Sequence, residues 1–252
     1  MKLLVKIGGT LLDEAPSRQS LASQFNGGHE YAVVHGGGRQ LTRFLESQGV
    51  ATRFVNGQRV TTDEAIDAVI QILTGLVNKK LVAALRAAGA SPVGISGIDG
   101  RVTTATQLGR ELGWVGKVVS ADARLLNLLT GAGHIPVIAC VSGDDAGGIW
   151  NVNADQMAAA CAAAFQADKL IFLTDVAGVL GENGQVIPCL SVSDARRLIE
   201  TKIAQGGMQA KLDAASAAIQ TGVCGVIIAS GAEPDIISRL LTGEPAGTWI
   251  HA

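Results

Sequence analysis

Residues Tyr31–Leu41 read YAVVHGGGRQL: an apolar run, a histidine, three glycines, then helical spacing. Three consecutive glycines raise the backbone entropy lost on folding. They are expected where the backbone must turn sharply or come close to a partner. A buried strand that ends in glycine and runs into a helix is the turn of an open α/β sheet, where ligands bind beyond the carboxyl ends of the strands. The start of the chain repeats the arrangement, with LLVKIGG ending in Gly8-Gly9.

Four more short apolar runs end in glycine or a small polar residue: SPVGISG, HIPVIAC, KLIFLTD and GVIIASG. Helical patterns fill most of the gaps, over 14–27, 39–48, 63–88, 121–132, 154–167, 193–201, 209–221 and 233–242. Continuous apolar strands alternating with helices predict an α/β fold with a mainly parallel sheet covered on both faces. The longest helix, 63–88, carries Ile66, Val69, Ile70, Leu73 and Val77 at helical spacing. Two stretches break the alternation. RFVNGQRVT places Asn56-Gly57 between strand-like runs, the signal of a tight hairpin. GIDGRVTTAT and LGWVGKVV suggest further hairpin strands, read as an antiparallel set at the edge of the first half. With no flexible linker, two lobes share one body, dividing near Ala167.

The bulk properties agree with an ordinary globular chain. Its 252 residues are 48% hydrophobic with a formal charge of -2, so the basic footprint of a nucleic-acid binder is missing. No apolar run approaches the roughly 20 residues that span a bilayer. MKLLVKIGGT reads as a strand rather than a leader, and a cytoplasmic location is expected. Cys140, Cys161, Cys189 and Cys224 are widely spaced and read as small buried hydrophobes, while four scattered histidines give no pattern for a metal cage.

Several residues stand out chemically. Lys6 interrupts the first apolar strand just before its glycine turn; an inward lysine is costly without an anion, the alternative being a side chain snorkelling from an edge strand. Lys211 follows Gly206-Gly207 in the first turns of a helix, the wrong end for a cation in the helix dipole. An anionic partner or a solvated face would each account for it. Asp155, in WNVNADQMAAACAAAF, opens an alanine-rich helix, where it serves the dipole or a site. Arg59, just past the Asn-Gly turn, is a fork able to hold a carboxylate. Neither standard phosphate motif is met. Val118 and Glu111 spoil a P-loop around Gly116-Lys117, and Leu41 stands where a G-x-G-x-x-G would need its last glycine.

In this order, KIGGTLL, VVHGGGRQL, NGQRVT, GLVNKKLVAAL, GISGIDG, ELGWVGKV, NVNADQMA, LIFLTDVAGVL and GGMQAKLDAA resemble the amino acid kinase family over nearly the whole chain. The nearest branch phosphorylates N-acetyl-L-glutamate. The resemblance implies a three-layer αβα sandwich of the carbamate kinase-like type. It also implies transfer of the ATP γ-phosphoryl group to the acceptor's side-chain carboxylate in arginine biosynthesis, with Mg²⁺ accompanying ATP. By matching position, Lys6 and Lys211 hold the transferring group and Asp155 orients both lysines. Gly9 and Gly37 turn their amides toward the phosphoryl oxygens. Gly37, Gly38, Arg59 and Asn151 hold the acceptor. Asp175, Val176, Ala177, Gly178, Val179 and Leu180, with Ile203, Ala204 and Gln205, form the ATP loops.

The lobes would then be residues 1–167, for acceptor binding and dimerisation, and 168–252, for ATP. Because the first strand begins at residue 3, with no room for the N-terminal helix of arginine-inhibited hexameric members, a homodimer insensitive to arginine is expected. Rival readings are a kinase acting on carrier-bound aminoadipate and a non-catalytic sensor of nucleotide or amino acid on the same fold.

Overall fold

The computed structural model describes residues 1–25, 28–55 and 57–252. In chain order the strands are β1 (Lys2–Ile7), β2 (Glu30–His35), β3 (Phe54–Val55), β4 (Gln58–Arg59) and β5 (Pro92–Ser96). Next come β6 (Thr103–Gln107), β7 (Val115–Ala121), β8 (Ile135–Ala139), β9 (Val141–Gly143) and β10 (Ile149–Val152). The last are β11 (Lys169–Thr174), β12 (Cys189–Ser191), β13 (Val226–Ser230) and β14 (Thr248–His251). The α-helices are α1 (Ala15–Ala22), α2 (Gly38–Ser47), α3 (Asp63–Val69), α4 (Asn78–Ala87) and α5 (Arg124–Gly131). They continue with α6 (Ala154–Phe165), α7 (Val192–Glu200), α8 (Gly206–Gln220) and α9 (Ile236–Leu241).

All six apolar runs read from the sequence are strands of one eight-stranded sheet, ordered β12-β14-β13-β11-β1-β2-β8-β5. Its pairings are parallel except β13 with β14. β1, β2, β8, β11 and β13 are buried along nearly their whole length. Continuous burial means both faces are covered, which explains why these strands read as unbroken apolar runs. β12 and β14 escaped the sequence reading because Cys189–Ser191 and Thr248–His251 are short and mix polar with apolar residues.

The hairpin set differs in form from the expectation. β6 and β7 do pair antiparallel, but β9 and β10 join them, and the four strands close on themselves in the order β10-β7-β6-β9. The unread pair β9–β10 turns at Asp144, whose Oδ1 accepts from the N–H groups of Ala146 and Gly148 at 2.9 and 2.7 Å. A carboxylate folded over its own turn makes a tight connection without an Asn-Gly signal. The expected hairpin forms with β3 antiparallel to β4 and Gly57 left-handed at φ 76°; Asn56 lies outside the described residues.

α3, a π-helical stretch Ile70–Val77 and α4 run on as one helix, Asp63–Ala87. At 25 residues, with an 18-residue window of mean hydropathy 1.5, it is long and apolar enough to cross a membrane. This corrects the reading that no stretch approaches that length. Half of that window is buried inside the protein, with Val69, Ile72, Leu73 and Val77 in the core, as in a core helix. The cysteines also divide. Cys140 and Cys161 are buried, and burial pushes their thiols up to about 11 and about 12. Cys189 and Cys224 are exposed, contrary to expectation, because one heads the edge strand β12 and the other lies in the turn before β13.

Candidate active site

β1 lies inside the sheet, with Lys6 level with Val34 of β2 on one side and Phe172 of β11 on the other. There is no sheet edge from which Lys6 could snorkel. Its side chain is 8% exposed and its Nζ lies 2.6 Å from Asp155 Oδ1. Asp155 is equally buried and sits in the first turn of α6, where Asn153 caps the helix. Asn153 Oδ1 accepts from the N–H groups of Asp155 and Gln156 at 2.9 and 3.1 Å, which fixes the start of the helix and hence the carboxylate.

Lys211 Nζ, from α8, approaches the other carboxylate oxygen at 3.5 Å and donates to the Gly207 carbonyl at 3.3 Å. The apparent misplacement of this lysine near a helix N-terminus is thereby explained, since its anion comes from a different helix. Burial pushes the Lys211 ammonium below its ordinary value of 10.5; the positive charge of Lys6 adds to this, while Asp155 and Asp175 pull the other way. One buried carboxylate therefore gathers two ammonium groups, one from each half of the chain. Two cations held on a single anion leave net positive charge in a low-dielectric pocket, which favours an incoming polyanion.

The two glycine turns meet beside this cluster. A Cβ on Gly9 would fall 3.0 Å from the Gly37 nitrogen and 3.2 Å from that of Gly38. A Cβ on Gly37 would fall 2.7 Å from Leu73 Cδ2 and 3.0 Å from Val77 Cγ2 of the long helix. The glycines at 9 and 37 thus let one loop press on the other and on the core. Gly38 has open space where a side chain would stand. The first amides of α2 have no acceptor within their own helix, which leaves them available to an anion.

A cavity of about 170 Å³ adjoins the glycines. Gln58, Arg59, Asn151 and Asn153 supply its polar side chains, and Leu41, Phe54, Leu73 and Cys140 much of its apolar wall. Larger hollows elsewhere on the surface are not lined by Gly36, Gly37 or Gly38. Arg59 is 8% exposed and stacks on Phe54 at 4.7 Å. Its Nη2 donates to the Gly38 carbonyl at 3.0 Å and to Thr42 Oγ1 at 2.6 Å, and its Nη1 donates to Thr52 Oγ1 at 3.3 Å. Asn151 Nδ2 donates to Thr61 Oγ1 at 2.9 Å. Among the described residues every hydrogen-bond partner of Arg59 is neutral, and the nearby charge of Glu46 makes no ion pair with it, so a carboxylate entering the cavity would be a better partner. Asn153, Leu73 and Cys140 were not singled out by the sequence as site residues. Asn153 alone had a legible signal, the cap position before an alanine-rich helix.

The model for the amino acid kinase family matches residues 1–230. The chain belongs to the amino acid kinase family. An acetylglutamate kinase of Solibacter usitatus is 54% identical over 252 residues, covering 98% of both chains. An acetylglutamate kinase of Acidobacterium capsulatum is 41% identical, covering 96% of this chain and 97% of its own. Among solved structures, an N-acetylglutamate synthase from Neisseria gonorrhoeae, complexed with coenzyme A and N-acetyl-glutamate, has a TM-score of 0.88 at 27% identity. This family member spans only 59% of that synthase chain, which covers all of it. A carbamate kinase from Giardia lamblia bound to AMP-PNP, at TM-score 0.71 and 13% identity over 99% of this chain and 98% of its own, shares the fold.

The loops that resemblance assigns to ATP lie at the carboxyl end of β11 and at the N-terminus of α8, on the Lys211 side of the cluster. Asp175, Val176, Ala177 and Leu180 are exposed, whereas Gly178 and Val179 are buried. The Val179 N–H is given to Thr248 Oγ1 at 2.8 Å, so this residue anchors the loop to β14. Ile203 is half-buried, Ala204 buried and Gln205 exposed. In both loops the buried residues fix the backbone and the exposed ones face outward.

Proposed function

We propose that this protein transfers the γ-phosphoryl group of ATP to the side-chain carboxylate of N-acetyl-L-glutamate, giving N-acetyl-L-glutamyl 5-phosphate and ADP, a step of arginine biosynthesis. The observation that carries the reading is the buried carboxylate of Asp155 with Lys6 and Lys211 on its two oxygens, set beside paired glycine loops and an arginine-lined cavity. The chemistry fits those parts. A glutamate-type carboxylate, with an ordinary pKa of about 4.3, is ionised at neutral pH and needs no general base. The barrier is repulsion between an anionic nucleophile and a polyanion, so alignment and positive charge do the work. Lys6 and Lys211 neutralise the transferring group, Asp155 holds them apart and aimed, and the amides of Gly9 and Gly37 take the remaining oxygens. Arg59, Asn151, Gly37 and Gly38 hold the acceptor.

ATP occupies the loops 175–180 and 203–205. Residues 1–167 serve the acceptor and 168–252 the nucleotide. Mg²⁺ is part of the ATP substrate. Among the described residues no group of three carboxylates, histidines or cysteines is placed to hold a metal, and Asp155 is committed to its lysines. A Mg²⁺ ion carried by phosphates and water needs no such cage.

The test is hydroxamate trapping: ATP, Mg²⁺, N-acetyl-L-glutamate and hydroxylamine should give a hydroxamate only when all are present. Absence of product with a folded, ATP-binding protein would overturn the reading, and preference for an amino-protected aminoadipate would move it to a longer acceptor. Arg59→Ala should raise KM for the acceptor about 10- to 100-fold with kcat changed far less, since Arg59 lies away from the transferring group. A pure kcat loss in steady-state kinetics would contradict that role.

The depressed Lys211 ammonium sets the alkaline behaviour. Its charge is needed and is lost as pH rises through the lowered pKa, so kcat/KM for ATP should fall at a pH below the 10.5 of an ordinary lysine. Lys211→Arg should push that limb to higher pH. A wild-type limb at or above 10.5 would contradict the assignment.

The protein acts as a homodimer. Among the described residues strand β5 ends the large sheet without a neighbour on its outer side, and the long helix packs beside it with Leu76 41% exposed. An edge strand of this kind is covered economically by a second copy. Light scattering should report the mass of two chains, and a monomer would refute it.

A further inference from the structure

His35, the last residue of β2, is fully buried and was given no role above. Its Nδ1 lies 2.8 Å from the carbonyl oxygen of Gly36, and its Nε2 lies 3.0 Å from Asn78 Nδ2. The partners dictate the tautomer. A carbonyl only accepts, so Nδ1 carries the proton and donates. Asn78 Nδ2 also donates to the carbonyls of Val137 at 2.9 Å and Ile95 at 3.4 Å, so it is the amide nitrogen and Nε2 is the acceptor. The chain of donors begins at Lys79, whose Nζ donates to Asn78 Oδ1 at 3.1 Å and to the Gly94 carbonyl at 3.2 Å. Gly94 makes room for it: a Cβ there would fall 2.1 Å from Asn78 Oδ1 and 2.6 Å from Lys79 Nζ. Burial holds the imidazole at about 4, so it stays neutral at physiological pH and keeps this pattern.

The Gly36 carbonyl belongs to the same peptide plane as the Gly37 N–H. In a trans peptide the two point in opposite directions, so fixing one fixes the other. Gly36 is clasped on both sides, by its N–H to the Ile7 carbonyl at 3.1 Å and by its C=O to His35. The Gly37 carbonyl is already committed to the Leu41 N–H at 3.0 Å. With three glycines in a row, no side chain of the loop itself can set this plane.

We infer that His35 is a positioning residue for phosphoryl transfer: held by Asn78, it locks the Gly36–Gly37 peptide so that the Gly37 N–H faces the transferring group. The inference rests on the kinase reading above and adds a residue to it. Asparagine places its amide nitrogen where imidazole has Nδ1, whereas glutamine reaches the Nε2 position. His35→Asn should therefore keep the bond to Gly36, and His35→Gln should keep only the contact with Asn78.

The experiment measures kcat, KM and thermal unfolding for the wild type, His35→Ala, His35→Asn and His35→Gln, using ATP and N-acetyl-L-glutamate. His35→Ala and His35→Gln should lower kcat roughly 10- to 100-fold, the scale of a misplaced catalytic group, with both KM values within about threefold. His35→Asn should recover most of that kcat, whatever its melting temperature. The inference is overturned if folded His35→Gln keeps wild-type kcat, or if kcat in all three variants follows thermal stability without selective recovery by Asn. An inactive wild type would instead defeat the kinase reading itself.

Discussion

Asp155→Asn is expected to lower kcat by about 10²–10³ and to destabilise the fold by roughly 3–5 kcal/mol at neutral pH. The substitution keeps the shape of the side chain and its place in the first turn of α6, and removes only the charge. Two ammonium groups, one 8% and the other 13% exposed, are then left on a neutral amide. A buried pair broken on one side costs far more than the pair contributes when intact, because the remaining charge has no compensation. Part of the lost stability should return as pH rises, since deprotonation relieves like charges that have lost their anion. Chemical denaturation at neutral and alkaline pH, beside steady-state kinetics, checks both halves. Unchanged kcat would remove Asp155 from the mechanism, and a stability loss independent of pH would argue against two charged lysines meeting there.

Lys211→Ala is expected to lower kcat by about 10²–10³, with a smaller change in KM for ATP. Lys211 neutralises charge on the group in flight, an interaction that strengthens as the bond to ADP lengthens, so the loss belongs mainly to the transition state. The fold should survive, since Asp155 retains Lys6 at 2.6 Å. Lys211→Arg should restore only part of the rate, because a planar fork does not replace a compact ammonium aimed at one oxygen. Steady-state kinetics with ATP as the varied substrate distinguishes the cases. A KM effect alone would place Lys211 in ground-state binding.

Much of this arrangement was legible in the chain, for identifiable reasons. Unbroken apolar runs such as KLIFLT can be satisfied only between two covered faces, so the parallel sheet followed directly. Lys6 was conspicuous because a charge in such a run demands a partner, and Lys211 because its position opposes the helix dipole. Their meeting on Asp155 was not legible from spacing: it joins residues 6, 155 and 211 through the sheet order, and only resemblance brought them together beforehand. The purpose of the glycines was legible only in part. Closeness to a ligand explained them in the sequence, whereas Gly9 and Gly37 also admit the contact of one loop with the other and with Leu73 and Val77. The short strands β9, β10, β12 and β14 were silent because three or four residues carry too little periodicity. His35 was visible as a letter in YAVVHGGG, but its bond to Gly36 depends on a side chain bending forward onto the carbonyl of the residue that follows the strand.

The central claim is that ammonium groups from the two halves of the protein converge on the transferring phosphoryl group. A crystal structure with ADP, Mg²⁺, N-acetyl-L-glutamate and a planar aluminium fluoride in place of that group tests it most directly. The account predicts Lys6 Nζ and Lys211 Nζ both within about 3 Å of the planar group's ligands, with Asp155 between them. A planar group bound out of reach of both nitrogens, with the lysines still closed on Asp155 alone, would contradict it.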